Sequence, residues 1–173
     1  MLQLFSYLCK KMVMHIDDIK ALAQRAHSDA GERERLFATM LLGDGREAYF
    51  AAWALTHLPV ADNVHIAAHR DELVRLAIST AEVSLRRLSL ALLERLEWGK
   101  DDVRTDLLDC CLQRMMQNDE PYGIRAMCVK LAYMQCRHYS ELLDELKQSL
   151  LMMEHTEMGQ GVKHIRNKIL RKL

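Results

Sequence analysis

Apolar residues recur with helical spacing in four segments that begin at Glu47, Leu85, Ile124 and Val162, which lie 38 or 39 residues apart. In the last three segments, apolar residues follow the start by three, seven and eight positions, which places them on one stripe of an amphipathic helix. These positions hold Leu88, Leu92 and Leu93, then Met127, Leu131 and Ala132, then Ile165, Ile169 and Leu170. The first segment differs at its start but keeps Phe50, Ala54, Leu55 and Leu58 in its second half. The pattern predicts four related helices.

A second set of helical segments lies between these four. It covers residues 32–42, 69–80, 101–117 and 138–154, and a further predicted helix at 17–27 precedes the set. Glycine or proline separates most of the partners, as at Gly43, Pro121 and Gly159. A helical hairpin that recurs about every 40 residues predicts an all-α fold, an α–α superhelix of about four hairpins. An irregular bundle of evenly spaced helices is the alternative. We expect one domain over residues 14–173, preceded by an N-terminal extension at 1–13.

The second helix of each pair resembles the HEAT-like repeats of armadillo-type proteins. The resemblance rests on an aliphatic residue followed by a base, on small residues in the middle of the helix and on a terminal leucine. It spans residues 32–173, and Asp119 matches the turn aspartate of that family. The segments AAWAL, SLRRLSLALLE, YGIRAMCVKLAY and HYSELLDEL are also similar to short HEAT-like bacterial proteins of unknown function. The resemblance implies that the superhelix is right-handed. It also implies a binding scaffold whose second helices line a concave face.

Composition and the cysteine pattern indicate in which cellular compartment the protein is expected. Helix-forming residues dominate, with only two prolines and seven glycines. The five cysteines, which include the adjacent Cys110 and Cys111, lack the spacing of a disulfide framework, so we expect reduced thiols and a cytoplasmic protein. The opening residues are apolar before they are basic, the reverse of a signal peptide, and no apolar run is long enough to span a bilayer. We expect no membrane partner.

Charge is segregated along the chain although the formal net charge is +0. The last two second helices (121–137 and 158–173) contain eight Lys or Arg and no acid, whereas their first helices contain nine acids and three bases. A basic concave face could bind an acidic peptide or a phosphate backbone. The candidate binding residues are Arg86, Arg125, Lys130, Lys163, Lys168 and Arg171. Two structural alternatives are a neutralising seam between basic and acidic helices, and bases that complement a helix dipole.

The sequence offers little catalytic chemistry. His65 and His69 have the i, i+4 spacing of a metal site, but no third ligand is evident. No glycine-rich phosphate loop, nucleophile with a neighbouring base or pair of carboxylates can be identified. Trp53 lies among alanines and is expected to fill the core. We therefore expect no catalytic residue, no metal and no cofactor.

The favoured function is a non-enzymatic module that recruits a protein or an acidic peptide through its concave face. The alternative is a nucleic-acid-binding protein similar to the HEAT-like alkylpurine DNA glycosylases. That alternative requires bases on several consecutive second helices, together with an aromatic and an acidic side chain in the groove. The Glu47 helix contributes few bases, and acids balance the bases of the Leu85 helix.

Overall fold

The computed structural model describes residues 14–173, so the expected N-terminal extension at 1–13 lies outside the described residues. Residues 14–173 form α-helices, three short 3₁₀ turns and loops, with no strand among them. The α-helices are α1 (Ile16–Ser28), α2 (Ala30–Leu42), α3 (Gly45–Thr56), α4 (Asn63–Ala68), α5 (Arg70–Ser79), α6 (Val83–Glu94), α7 (Thr105–Met116), α8 (Tyr122–Cys136), α9 (Ser140–Met152) and α10 (Gln160–Leu170). The 3₁₀ turns are Val60–Asp62, Lys100–Asp102 and Met153–His155. The predicted all-α class is confirmed.

Each predicted helix appears within a few residues of its expected bounds. The sequence did not reveal α4, because six residues make less than two turns and leave no room for a repeated apolar stripe. The predicted helix at 101–117 begins later than expected, at Thr105, because a 3₁₀ turn occupies Lys100–Asp102. Local caps explain some boundaries. The Asp29 carboxylate, for example, accepts hydrogen bonds from the backbone N–H groups of Gly31 and Glu32 at the start of α2.

The described chain divides into two compact units, the first ending at Leu96 and the second running from Glu97 to Leu173. In the first unit, α2 pairs with α3, α5 pairs with α6, and α1 packs against α2 and α3. The second helices α3 and α6 also pack on one another, more closely than the first helices α2 and α5 do. Phe37, Met40, Leu55, Leu73 and Leu92 are fully buried in this unit.

In the second unit, α8 is the central helix. It pairs with α7, packs extensively on α10 and also contacts α9. The core includes Trp98, Leu107, Ile124, Leu146 and Leu150, each at most 1% exposed. Because α10 contacts α8 and α9 on one side, its other side remains open to solvent among the residues of this unit. None of the helices in residues 14–173 has both the length and the apolar character needed to cross a bilayer.

Candidate functional site

Three of the six candidate binding residues lie on the solvent-exposed side of α10 and at its C-terminal cap, which is Arg171. Lys163, Lys168 and Arg171 are exposed, whereas Val162 and Ile169 on the same helix are buried. The exposed side carries two parallel lines with i, i+4 spacing, which helical geometry places next to each other. One line is Lys163, Asn167 and Arg171, and the other is His164, Lys168 and Lys172. We call these six residues the α10 basic surface.

The charges of this surface are not neutralised by the acidic helices of the same unit. Among residues 14–173, no carboxylate lies within 4.0 Å of the charged nitrogens of Lys163, Lys168 or Arg171. Arg171 Nε donates to the backbone oxygen of Asn167 at 3.2 Å, which is a contact with a neutral carbonyl group and not with a carboxylate. Lys172 Nζ lies 5.2 Å from the ring centroid of Tyr133 on α8, a cation–π distance that connects the basic surface to the neighbouring helix.

The other candidates occupy different environments. Arg125 is 0% exposed and Arg86 is 9% exposed. Lys130 is half-buried on the side of α8 that also carries Tyr133. The structure therefore brings Lys163, Lys168 and Arg171 together on one helix and places Arg86 and Arg125 inside their units.

The Arg125 guanidinium is surrounded by protein oxygen atoms. Its Nε donates to the backbone oxygen of Met115 at 3.0 Å, and its Nη2 donates to the hydroxyl of Thr156 at 2.8 Å. Its Nη1 donates to the backbone oxygen of Glu157. Three segments of the second unit are thereby joined through one side chain.

The same kind of contact recurs along the chain. Four buried arginines each donate to a backbone oxygen at the end of the preceding helix, where carbonyl groups have no partner within the helix. The pairs are Arg33 with Ala26 at 2.9 Å, Arg86 with Thr80 at 2.7 Å, Arg125 with Met115 at 3.0 Å and Arg166 with Leu150 at 2.6 Å. The positive charge also complements the negative end of that helix dipole. In the repeat, an aliphatic residue is followed by a base, which is Arg86 in α6 and Arg125 in α8. Each of these arginines therefore connects the two helices of its hairpin, a role that we call a hairpin brace.

Arg95 forms a further brace that the sequence did not indicate. Its Nη2 donates to the backbone oxygens of Leu58 and Pro59, both at 2.9 Å, and to the side-chain oxygen of Asn63 at 2.7 Å. Burial lowers the pKa of Arg95, while the nearby carboxylate of Asp62 raises it. Asp62 is itself buried and bonds to His27 Nδ1 at 2.8 Å. These partners lie more than 30 residues apart, so no local pattern could have identified them.

The first unit contains an aromatic line on α3. Tyr49, Trp53 and His57 follow one another with i, i+4 spacing, and their ring centroids are 5.9 and 6.1 Å apart. Trp53 fills the core only in part: it is half-buried, whereas the neighbouring Ala51, Ala52 and Ala54 are 0% exposed. Small residues face inward here because the helix packs closely against its neighbours.

A pocket of about 390 Å³ adjoins this aromatic line at the starts of α3 and α6. Tyr49, Phe50 and Leu85 supply apolar and aromatic surface, and Arg46, Glu82 and Ser84 lie at its polar edge. Gly45, whose φ of 50° is in the left-handed region that favours glycine, begins α3 beside the pocket. The charge-based sequence argument missed this site because its apolar lining comes from two helices more than 30 residues apart.

The two histidines with the spacing of a metal site, His65 and His69, lie in different surroundings. His65 lies within α4, but that helix ends at Ala68, so His69 is not on the same helix. His69 stacks on Phe37 with ring centroids 4.0 Å apart and bonds to a Glu34 carboxylate oxygen at 3.0 Å. Residues 14–173 contain no group of three or more His, Cys, Asp or Glu side chains arranged to hold a metal ion.

Three of the cysteine side chains are buried in the core. Cys111 and Cys128 are 0% exposed and Cys136 is 1% exposed. The pKa of Cys111 is raised well above its usual value, mainly by a hydrogen bond with Cys128 and secondly by burial. Burial also raises the pKa of Cys136 to about 11. At neutral pH Cys111 and Cys136 are therefore protonated thiols.

A family model described as a HEAT repeat domain matches residues 9–173. Comparison with curated proteins and with solved structures gives no match. The family match and the neighbouring helical pairs confirm the predicted all-α, HEAT-like solenoid architecture. HEAT repeats commonly mediate protein interactions. Because the match covers nearly the whole sequence, this chain belongs to the HEAT repeat family.

Proposed function

We propose that this protein is a non-enzymatic binding module that recruits an acidic segment of a partner protein through the α10 basic surface. The observation that carries the proposal is the exposure of Lys163, Lys168 and Arg171 without an acidic partner among the described residues. Uncompensated bases on one helix create a local positive potential even in a protein of zero formal net charge.

The position of Lys163 argues against a purely structural origin of this charge. The positive end of a helix dipole lies at its first turn, where a lysine is unfavourable. Lys163 is the fourth residue of α10, and the first turn of that helix contains no acid. Complementing the helix dipole can therefore account for Lys168 and Arg171 near the C-terminal end but not for Lys163. An acidic ligand would give Lys163 a favourable partner.

A protein segment suits the first unit better than a phosphate backbone. On α6, the exposed Arg87 is accompanied by half-buried Glu94, and the exposed Glu82 is the N-cap residue of that helix. On α3, the exposed Arg46 precedes Glu47. A nucleic-acid-binding face needs an excess of bases over consecutive helices. These acids would repel phosphates, which favours the protein partner over the glycosylase-like alternative.

Fluorescence anisotropy with a labelled decapeptide of alternating Glu and Ser tests this function. We expect saturable binding that weakens as salt increases, since exposed charges are screened. Combining Lys168→Glu with Arg171→Glu should weaken binding about tenfold or more, because two attractive contacts become repulsive. The matched control is Lys20→Glu with Arg25→Glu, which changes two exposed bases of α1 by the same total charge and should leave binding unchanged.

Two outcomes would reject the proposal. In the first, the control pair weakens peptide binding as much as the α10 pair, which would mean that only total charge matters. In the second, a labelled DNA duplex binds at low salt while the acidic peptide does not, which would favour the nucleic-acid alternative.

A further inference from the structure

The outward side of α3 has the composition of a recognition surface. Tyr and Trp are enriched at the energetically important positions of protein interfaces because they offer large, rigid contact areas. Trp98 is 1% exposed in the core of the second unit, whereas Trp53 is half-buried next to Tyr49. The two tryptophans therefore differ in kind: one packs the interior and the other presents part of its indole to solvent.

The pocket beside this aromatic line can hold a side chain. Small-molecule pockets commonly enclose about 300–1,000 Å³ and combine apolar walls with a few polar groups. At about 390 Å³, this pocket lies at the lower end of that range. Tyr49 belongs both to the pocket and to the aromatic line, so a ligand in the pocket would continue onto Trp53.

The charges at the pocket edge limit the class of ligand. Arg46 and Glu82 are both exposed, and neither forms an ion pair among residues 14–173. Their opposite charges give the edge no net preference for a polyanion or a polycation. A segment that is apolar at its centre and close to neutral overall matches this edge, with its own polar groups facing Arg46 and Glu82.

We propose that the pocket between the starts of α3 and α6 binds one bulky apolar side chain of a near-neutral partner peptide. Tyr49, Phe50 and Leu85 surround the anchor, and the peptide backbone next to it lies along Tyr49 and Trp53. This is a second contact surface, chemically distinct from the α10 basic surface. It does not depend on the acidic partner proposed above.

Nuclear magnetic resonance of the full chain tests the site with a neutral probe, N-acetyl-phenylalanine amide. We expect the Trp53 indole N–H signal to shift saturably as the probe is added, with a dissociation constant in the millimolar range. The Trp98 signal should not shift and serves as an internal reference. N-acetyl-glycine amide, which lacks the anchor side chain, should give no saturable shift. The α10 double variant Lys168→Glu with Arg171→Glu should respond like the unmodified chain.

A matched pair of variants identifies the pocket as the site. Ser84→Phe adds a ring at an exposed position of the pocket edge and should weaken probe binding at least tenfold. Arg87→Phe adds the same ring at an exposed position of α6 outside the pocket lining and should retain binding. Circular dichroism checks that both variants fold.

The proposal is overturned if the probe gives no saturable Trp53 shift up to its solubility limit. It is also overturned if the glycine probe binds equally well, or if Ser84→Phe retains full binding. A loss of probe binding in the α10 double variant would contradict the independence of the two surfaces.

Discussion

Individual arginines in this protein have opposite roles although they are adjacent in sequence. Arg86 is buried and donates to the backbone oxygen of Thr80, whereas Arg87 is exposed on the outer side of the same helix. Arg33, Arg86 and Arg125 each occupy the fourth position of their helices, from which they reach the end of the preceding helix. In α10 the fourth position holds the exposed Lys163, and Arg166, one turn later, makes the contact instead. Lys163 therefore makes no such contact with the preceding helix.

Arg125→Met should destabilise the folded chain by about 3 kcal/mol, because it leaves buried backbone oxygens without their donor. Methionine retains much of the side-chain volume, so the loss measures hydrogen bonding and charge more than packing. Urea unfolding followed by circular dichroism gives the free energy of unfolding. Arg87→Met, which removes an exposed guanidinium, should change that free energy by no more than about 0.5 kcal/mol. Equal effects of the two changes would contradict the bracing role of Arg125.

At the scale of an element, α10 combines a packing side with a charged side. Val162, Arg166 and Ile169 are buried, and Ile165 and Leu170 are half-buried, so the C-terminal segment is a packed helix. The bases on its exposed side extend from the first turn to the last. Because the helix dipole reverses sign between these ends, the same substitution has opposite effects on stability at the two ends.

Lys163→Glu should therefore raise the free energy of unfolding by about 0.5 kcal/mol, since it places an acid in the first turn. Lys168→Glu should lower it by a similar amount, since Lys168 lies in the last turn. Both changes should weaken binding of the acidic decapeptide. Thermal unfolding and anisotropy together separate the two effects. If Lys163→Glu lowered stability instead, Lys163 would have a structural partner and the binding argument would lose its main support.

At the scale of the whole molecule, the charges cancel. The chain has 24 basic and 24 acidic residues and an isoelectric point of about 7.1. Proteins near zero net charge repel one another weakly and associate more readily. The uncompensated bases of α10 therefore belong to a molecule with little long-range attraction for polyanions, which favours short-range recognition of a partner segment.

Solubility at low salt should accordingly be lowest near pH 7 and should rise on either side. Light scattering across a pH series measures this directly. The Lys168→Glu, Arg171→Glu variant exchanges two positive charges for two negative charges, so its minimum should move to a lower pH. A minimum that stays in place would show that apolar contacts, rather than net charge, control association.

The candidate site could be predicted only in part, because charge patterns do not report burial. The basic second helices were evident from residues 121–137 and 158–173, and Lys163, Lys168 and Arg171 are exposed there. The same pattern could not distinguish them from Arg125, whose environment depends on Met115, Thr156 and Glu157 from other segments. The pocket of the first unit was missed for a similar reason, since Tyr49 and Leu85 come from different hairpins.

With the exception of α4, the sequence by itself determined the helices, and it also determined their hairpin pairing and the period of the repeat. Apolar spacing along a helix is a local property, and a helix must bury the stripe that this spacing creates. Only the tertiary structure decided which polar and aromatic side chains face inward. The alanines of α3 allow close packing and leave Trp53 on the outside, while free carbonyls at helix ends bring Arg86, Arg125 and Arg166 inside. Burial depends on which segments meet in space, and those segments are distant along the chain.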